Sequence, residues 1–185
     1  MKNFLPVTSA YEECDMSYTV YLAGFDVFRP DAIAWGQHLV KQCAAVGITA
    51  LYPLDNACPP GLSKEEMASW IAQANVACIE KADALLVNLN PFRGHEPDSG
   101  TVFEFGYANA LRKPIYVYFE DNRPMVDQVP NELGVDAGGF TVEDFGLPKN
   151  LMMATRWAGA ARQFDEALKM LVDGELSSAS AKTSD

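Results

Sequence analysis

Apolar and polar positions change period several times along the chain, and each change marks an element. Tyr18-Thr-Val-Tyr-Leu-Ala-Gly24 is β-branched and aromatic and ends in small residues, the pattern of a buried strand entering a turn. Pro30-Asp31 then opens a helical spacing of Ile33, Gly36, Leu39, Val40, Cys43 and Val46, with Gly47 as its stop. Ile48 to Pro53 reads as a second short strand, and Ser63 and Glu66 form a capping box for a helix in which Met67, Trp70, Ile71, Ala74 and Cys78 keep the i, i+3, i+4, i+7 rhythm. Asp83-Ala-Leu-Leu-Val-Asn-Leu89 carries an unbroken apolar run from Ala84 to Val87, as expected of a strand covered on both faces. A helix from about Thr101 to Arg112 and a strand from Pro114 to Phe119 follow.

Residues 120 to 148 are acidic and hold Pro124, Pro130 and Gly138-Gly139, too irregular for one regular element. A stretch of that length suits a lid or a subunit contact. Leu151 to Thr155 is expected as a fifth short strand, and Phe164, Ala167, Leu168, Leu171 and Val172 define a last helix. Residues 1 to 17 keep no period and read as an extension. Gly174 to Asp185 is small and polar and is expected to be disordered. One domain thus spans 18 to 173.

Alternating strands and helices with short connections predict a doubly wound, flavodoxin-like α/β fold around a mostly parallel five-stranded sheet. In such sheets ligands bind beyond the carboxyl ends of the strands. The loops 24 to 30, 53 to 61 and 88 to 100 all leave carboxyl ends, so they should converge on one crevice.

Charge narrows the partners. Twenty-five acidic against fourteen basic residues give a net charge of -11, which repels phosphate backbones and anionic lipid and disfavours nucleic-acid polymers and membranes. Cys14, Cys43, Cys58 and Cys78 show no paired spacing, the usage of a reducing compartment, and the chain has no run of 18 apolar residues. A cytoplasmic location is expected. His38 and His95 are the only histidines and neither has a second ligand at metal spacing, so no metal site is expected.

No G-x-S-x-G elbow or P-loop is present, and no G-x-G-x-x-G follows the first strand. What remains is carboxylate chemistry. Glu104 is an acid among Val102, Phe103, Phe105 and Tyr107, and a carboxylate in that company needs a hydrogen-bond partner or a function. Thr101-x-x-Glu104 has the spacing of a capping box, which would make the acid structural. The other reading of Glu104 is a carboxylate nucleophile, working with a second acid that protonates the leaving group. Asp98 in Pro-Asp-Ser-Gly fits a turn or cap, and Phe25, Phe28 and Phe92 fit either rim packing or stacking on a flat ring.

Several ordered motifs resemble the nucleoside 2-deoxyribosyltransferase family: Tyr21-Leu-Ala-Gly24 with Phe28-Arg-Pro-Asp31, Pro53-Leu-Asp-Asn56, Asp83, Asn90-Pro-Phe-Arg-Gly-His-Glu-Pro-Asp-Ser-Gly-Thr-Val-Phe-Glu104, and Phe145-Gly-Leu-Pro-Lys-Asn150-Leu-Met152. The resemblance implies transfer of 2-deoxyribose between nucleobases with net retention. Glu104 would be the nucleophile, Tyr21 would hold it, and Asp83 and Asp98 would lie in the site. The matching motifs also carry Gly24, Phe28, Asp55, Asn56, Phe92, Gly94, Asn150 and Met152 as expected substrate-binding positions. Asn150 would reach a neighbouring subunit's site, so the resemblance implies a homo-oligomer acting on 2-deoxynucleosides and free nucleobases, with no cofactor. The alternatives are a deoxynucleoside 5-monophosphate N-glycohydrolase of related fold, for which no Ser/Gly-rich phosphate cradle follows the first strand, and a non-catalytic nucleotide or metabolite-binding module.

Overall fold

The structure is a computed structural model that describes residues 18–176. The expected N-terminal extension, Cys14 and the tail from 177 onward lie outside the described residues. Five strands, β1 (Thr19–Ala23), β2 (Thr49–Leu51), β3 (Ala84–Asn88), β4 (Ile115–Tyr118) and a last strand at Gly159–Ala161, form one sheet in the order second, first, third, fourth, last, every pair parallel. The doubly wound α/β architecture is therefore present as expected, in a single domain.

Side-chain alternation in the central strands feeds two cores. Val20 and Leu22 of β1, with Ala84 and Leu86 of β3, point to one face, where they meet Leu39 and Cys43 of α1 (Ala32–Ala44). Tyr21 and Ala23, with Leu85 and Val87, point to the other face, against Ile79 of α2 (Lys64–Lys81) and Phe105 and Ala108 of α3 (Ser99–Ala110). Burial on both sides explains the unbroken apolar run of β3.

The capping box of Ser63 and Glu66 forms as expected, each side chain bonding the other's backbone N–H at 3.2 and 2.8 Å. The helix faces differ from expectation. In α1 the neighbouring Ala32 is buried while Ile33 is exposed, Val46 lies exposed beyond the end of the helix, and in α2 only Ile79 is buried while Met67 and Ile71 are exposed. The periodicity located both helices and most of the α1 stripe, since Gly36, Leu39 and Cys43 are buried and Val40 packs on the core, whereas the α2 stripe is buried only toward the end of the helix.

The fifth strand is displaced from its expected place. Leu151–Ala154 is a short helix, because Asn150 Oδ1 accepts from Met152 N at 3.0 Å and caps it. The strand is instead Gly159–Ala161, three small residues without the β-branched signal that marks the others. Between β4 and that helix the acidic stretch holds α4 (Met125–Gln128) and a two-stranded antiparallel ribbon, β5 (Asn131–Glu132) with β6 (Val135–Asp136); the Leu151–Ala154 helix is then α5 and the edge strand β7. The last helix, α6 (Phe164–Leu171), returns along the α1 face and continues as a wider turn through Leu176, where Tyr116 Oη donates to Glu175 Oε1 at 2.9 Å. Gly174 to Leu176 are thus ordered rather than part of a tail.

Candidate active site

Three loops leaving carboxyl ends of strands converge, as the topology requires, on a crevice of about 460 Å³. Gly24, Val27 and Phe28 come from the turn after β1, Pro53, Leu54, Asn56 and Cys58 from the loop after β2, and Asp98, Gly100, Thr101 and Glu104 from the start of α3. The wall opposite α3 is α2, through Trp70, Ile71, Ala74 and Asn75.

Glu104 sits one turn into α3, and the residue that caps that helix decides its role. Asp98, not Thr101, is the N-cap: its Oδ2 accepts from Thr101 N at 3.0 Å and from Thr101 Oγ1 at 3.1 Å. The expected Thr101–Glu104 capping box does not form. Glu104 turns away from the helix start and accepts at Oε1 from Tyr21 Oη at 2.6 Å and from Asn75 Nδ2 at 3.4 Å. The parity of β1 makes the first bond possible, since Tyr21 points to the α2/α3 face and is wholly buried. Both bonds fall on Oε1.

Burial pushes the Glu104 carboxyl up to about 7; Tyr21 and Asn75 oppose the rise by donating to the ionised form, and the Asp98 charge adds to it. The Tyr21 hydroxyl is held far above its ordinary range by burial and then by the Glu104 charge, so it stays a donor. Gly100 has a local reason: a Cβ there would stand 3.1 Å from Asp98 Oδ2. Gly24 has a stronger one, since its Cβ would stand 2.8 Å from both Asn88 Cβ and Asp26 Oδ2.

Other expected positions lie elsewhere. Asp83 is not in the crevice: it precedes β3 at the amino end of the sheet, where its Oδ2 accepts from Thr19 N at 2.8 Å. Strands that run parallel put the start of β3 at the end opposite the crevice, which excludes Asp83 from chemistry at Glu104. Phe92 does not line the crevice either. It is sandwiched between Phe25 and Phe28, with ring centroids 5.0 and 5.3 Å away and planes within 14° and 12°, and thereby backs Phe28. Gly94 lies in the same loop, at a φ of 152° next to Arg93 at a φ of 55°, and Asp55 closes the short turn Pro53–Asp55 beside the crevice wall. Neither lines the crevice. Asn150 and Met152 are also outside their own chain's crevice; Asn150 Nδ2 donates to Glu143 Oε1 at 2.5 Å, and Met152 is exposed. Among the described residues no group of three His, Cys, Asp or Glu could hold a metal ion, and no helix is long and apolar enough to cross a membrane.

Sequence reasoning missed Asn75, Cys58 and Trp70. Asn75 had a readable signal: it stands four residues before Ile79, the buried residue of α2, so a carboxamide occupies the inward stripe of that helix.

The model of the nucleoside 2-deoxyribosyltransferase family matches residues 20–152. The chain belongs to this family. The match spans Tyr21, Asn75, Asp98 and Glu104 together with the loops that carry the crevice. The 2-deoxyribosyltransferase of Leishmania mexicana is 34% identical and superposes with a TM-score of 0.72, covering 85% of this chain and 99% of that one. A 2-deoxyribosyltransferase of Bacillus psychrosaccharolyticus, 17% identical with a TM-score of 0.54 over 81% of this chain and 90% of that one, shares the family fold. An uncharacterised protein of Schizosaccharomyces pombe is 34% identical over 117 residues, 60% of this chain and 54% of that protein. The chain thus spans about half the length of the curated relative it matches.

Proposed function

We propose that the protein transfers 2-deoxyribose from one nucleobase to another through a covalent glycosyl-glutamate. The observation that carries this reading is the setting of Glu104, which lines the crevice together with Asp98 while its Oε1 is held by Tyr21 and Asn75. Glu104 Oε2 attacks the anomeric carbon of a 2-deoxynucleoside as the C–N bond breaks and its electron pair leaves with the base. A base departs readily once protonated, which calls for an acid near it. Asp98 uses Oδ2 for the helix cap, and in this reading its other oxygen serves the departing base or the sugar hydroxyls. A nitrogen of a second base then attacks the same carbon, the ester C–O bond breaks, and the Glu104 carboxylate is restored. Two inversions give retention. Phe28, backed by Phe92, offers a flat face for the base, and Asn56 offers a carboxamide to its edge.

The test is to incubate the purified protein with 2-deoxyadenosine and free cytosine and follow products by chromatography. Appearance of 2-deoxycytidine is expected. Accumulation of adenine without the exchanged nucleoside would replace transfer by hydrolysis, and binding without turnover would leave a ligand-binding module.

The same reading includes a homo-oligomer in which Asn150 and Met152 of one chain close the crevice of another. Its support is the exposed apolar face of α2 and α3, where Ile71, Ala72, Val76 and the 61%-exposed Phe103 line a groove of about 670 Å³ that runs into Glu104 and Asn75. Met152, Phe145 and Phe140 are exposed on the segment that would cover it. Glu104→Ala and Asn150→Ser chains, each nearly inactive alone, are expected to recover about a quarter of wild-type exchange when refolded together, because half of random dimers are mixed and one of their two sites is intact. Absence of recovery in co-assembled chains would rule out a shared site.

A further inference from the structure

The carboxyl edge of the sheet holds a second cavity, of about 580 Å³, on the face opposite Glu104, between α1 and the start of α6. Its floor is a buried polar network. Asp26, 5% exposed, accepts from Asn88 Nδ2 at 2.8 Å and lies beside the buried Tyr118, and Asn88 Oδ1 accepts from Asn90 N and Nδ2 at 3.1 and 2.8 Å. Asp26 forms no salt bridge among the described residues.

The side wall is the stripe that α1 turns to the cavity, Trp35, His38, Leu39 and Gln42. Trp35 Nε1 and Gln42 Oε1 are both buried without a hydrogen-bond partner. Both belong to side chains that line the cavity, and native structures rarely leave such buried polar atoms without a partner. The mechanism at Glu104 uses none of these groups.

The charges do not suit an anion. Arg29 is committed to Asp31 at 2.8 Å and lies 4.4 Å over the Trp35 ring, and Arg29 and Arg162 together face three acids, Asp26, Glu120 and Asp165. Acceptor-rich walls beside the rings of Phe25 and Trp35 suit a neutral, flat molecule with several N–H or O–H donors. The turn Phe25–Phe28 also divides its residues between the two cavities: Phe25 and Asp26 wall this one, Val27 and Phe28 the crevice. A ligand of the kind drawn to the crevice therefore meets both mouths at the same edge.

We infer that this second cavity is a binding site for a neutral nucleoside or nucleobase, distinct from the site at Glu104. Naming the nucleoside class rests on the proposed exchange reaction. The experiment is calorimetric titration of Glu104→Gln, which does not turn over, with 2-deoxyadenosine. A two-site isotherm per chain is expected, and adding Gln42→Trp, which fills the cavity, should weaken one site by about tenfold or more while leaving the other within about twofold. Trp35→Phe, a gentler change that removes only the indole N–H side of the wall, should weaken the same site, with Trp70 fluorescence still reporting the crevice. A one-site isotherm in a protein whose parent performs exchange overturns this inference alone, as does a second site indifferent to both changes. No binding at all, with no exchange by the parent, overturns the functional reading as well.

Discussion

Glu104→Ala is expected to lower base exchange by roughly 10⁴-fold or more, since removal of a covalent nucleophile leaves only binding and orientation to act. Initial rates from chromatography measure the loss, and unchanged far-ultraviolet circular dichroism shows that the fold survives. The more direct observation is a deoxyribosyl mass adduct on the peptide holding Glu104, absent from the variant. Exchange retained in the variant would remove Glu104 from the mechanism. Glu104→Gln has a second consequence, because burial holds the wild-type carboxyl near 7. A carboxyl whose folded value is raised favours the folded state while it can keep its proton, and that advantage is lost as pH rises through about 7. At pH 8 the wild type carries a buried charge that glutamine lacks, so Glu104→Gln should be more stable there, by up to about 3 kcal/mol, and the gain should shrink toward pH 5. Thermal unfolding at the two pH values tests the sign.

Tyr21→Phe is the second large effect, about 10²-fold in kcat, the scale of losing one buried donor to a catalytic oxygen. It also carries a signature that a packing defect would not. Wild-type exchange should fall about tenfold per pH unit below about 7, as Glu104 takes up its proton. The Tyr21 bond lowers the Glu104 value, so its removal should move that acid limb upward in pH. A lower kcat with the limb unmoved would mean that Tyr21 supports the site by bulk alone.

The fold was legible where burial was two-sided or a cap was local. Tyr18 to Gly24 and Asp83 to Leu89 read as strands because both faces of the sheet are covered, and Ser63 with Glu66 announced α2 from three residues' separation. Gly159–Ala161 stayed hidden because an edge strand of small residues has no apolar or β-branched signal. Leu151 to Thr155 misled for the converse reason: four apolar residues suit strand or helix alike, and the Asn150 cap decides.

At the site, the loops that form the crevice followed from topology, whereas the contacts of individual side chains did not. Thr101 and Glu104 have capping-box spacing, but Asp98 reaches the same backbone N–H first. Asp83 came with a motif, and only the direction of the strands shows that its end of β3 is the wrong one. Asn75 was visible as a polar residue on an apolar stripe, yet its partner is 29 positions away and needed the packed helices to appear.

Tyr21 ties Glu104 to the middle of the sheet and not to a loop. Glu104, the proposed nucleophile, therefore inherits the stiffness of the most buried strand pair, while Phe28, Asn56 and Cys58 sit on turns outside that pair. If the proposed exchange holds, redesign of residues 53 to 61 is expected to alter which bases are admitted and to leave the manner of attack unchanged, a separation of selectivity from reactivity that makes this scaffold a natural starting point for directed evolution.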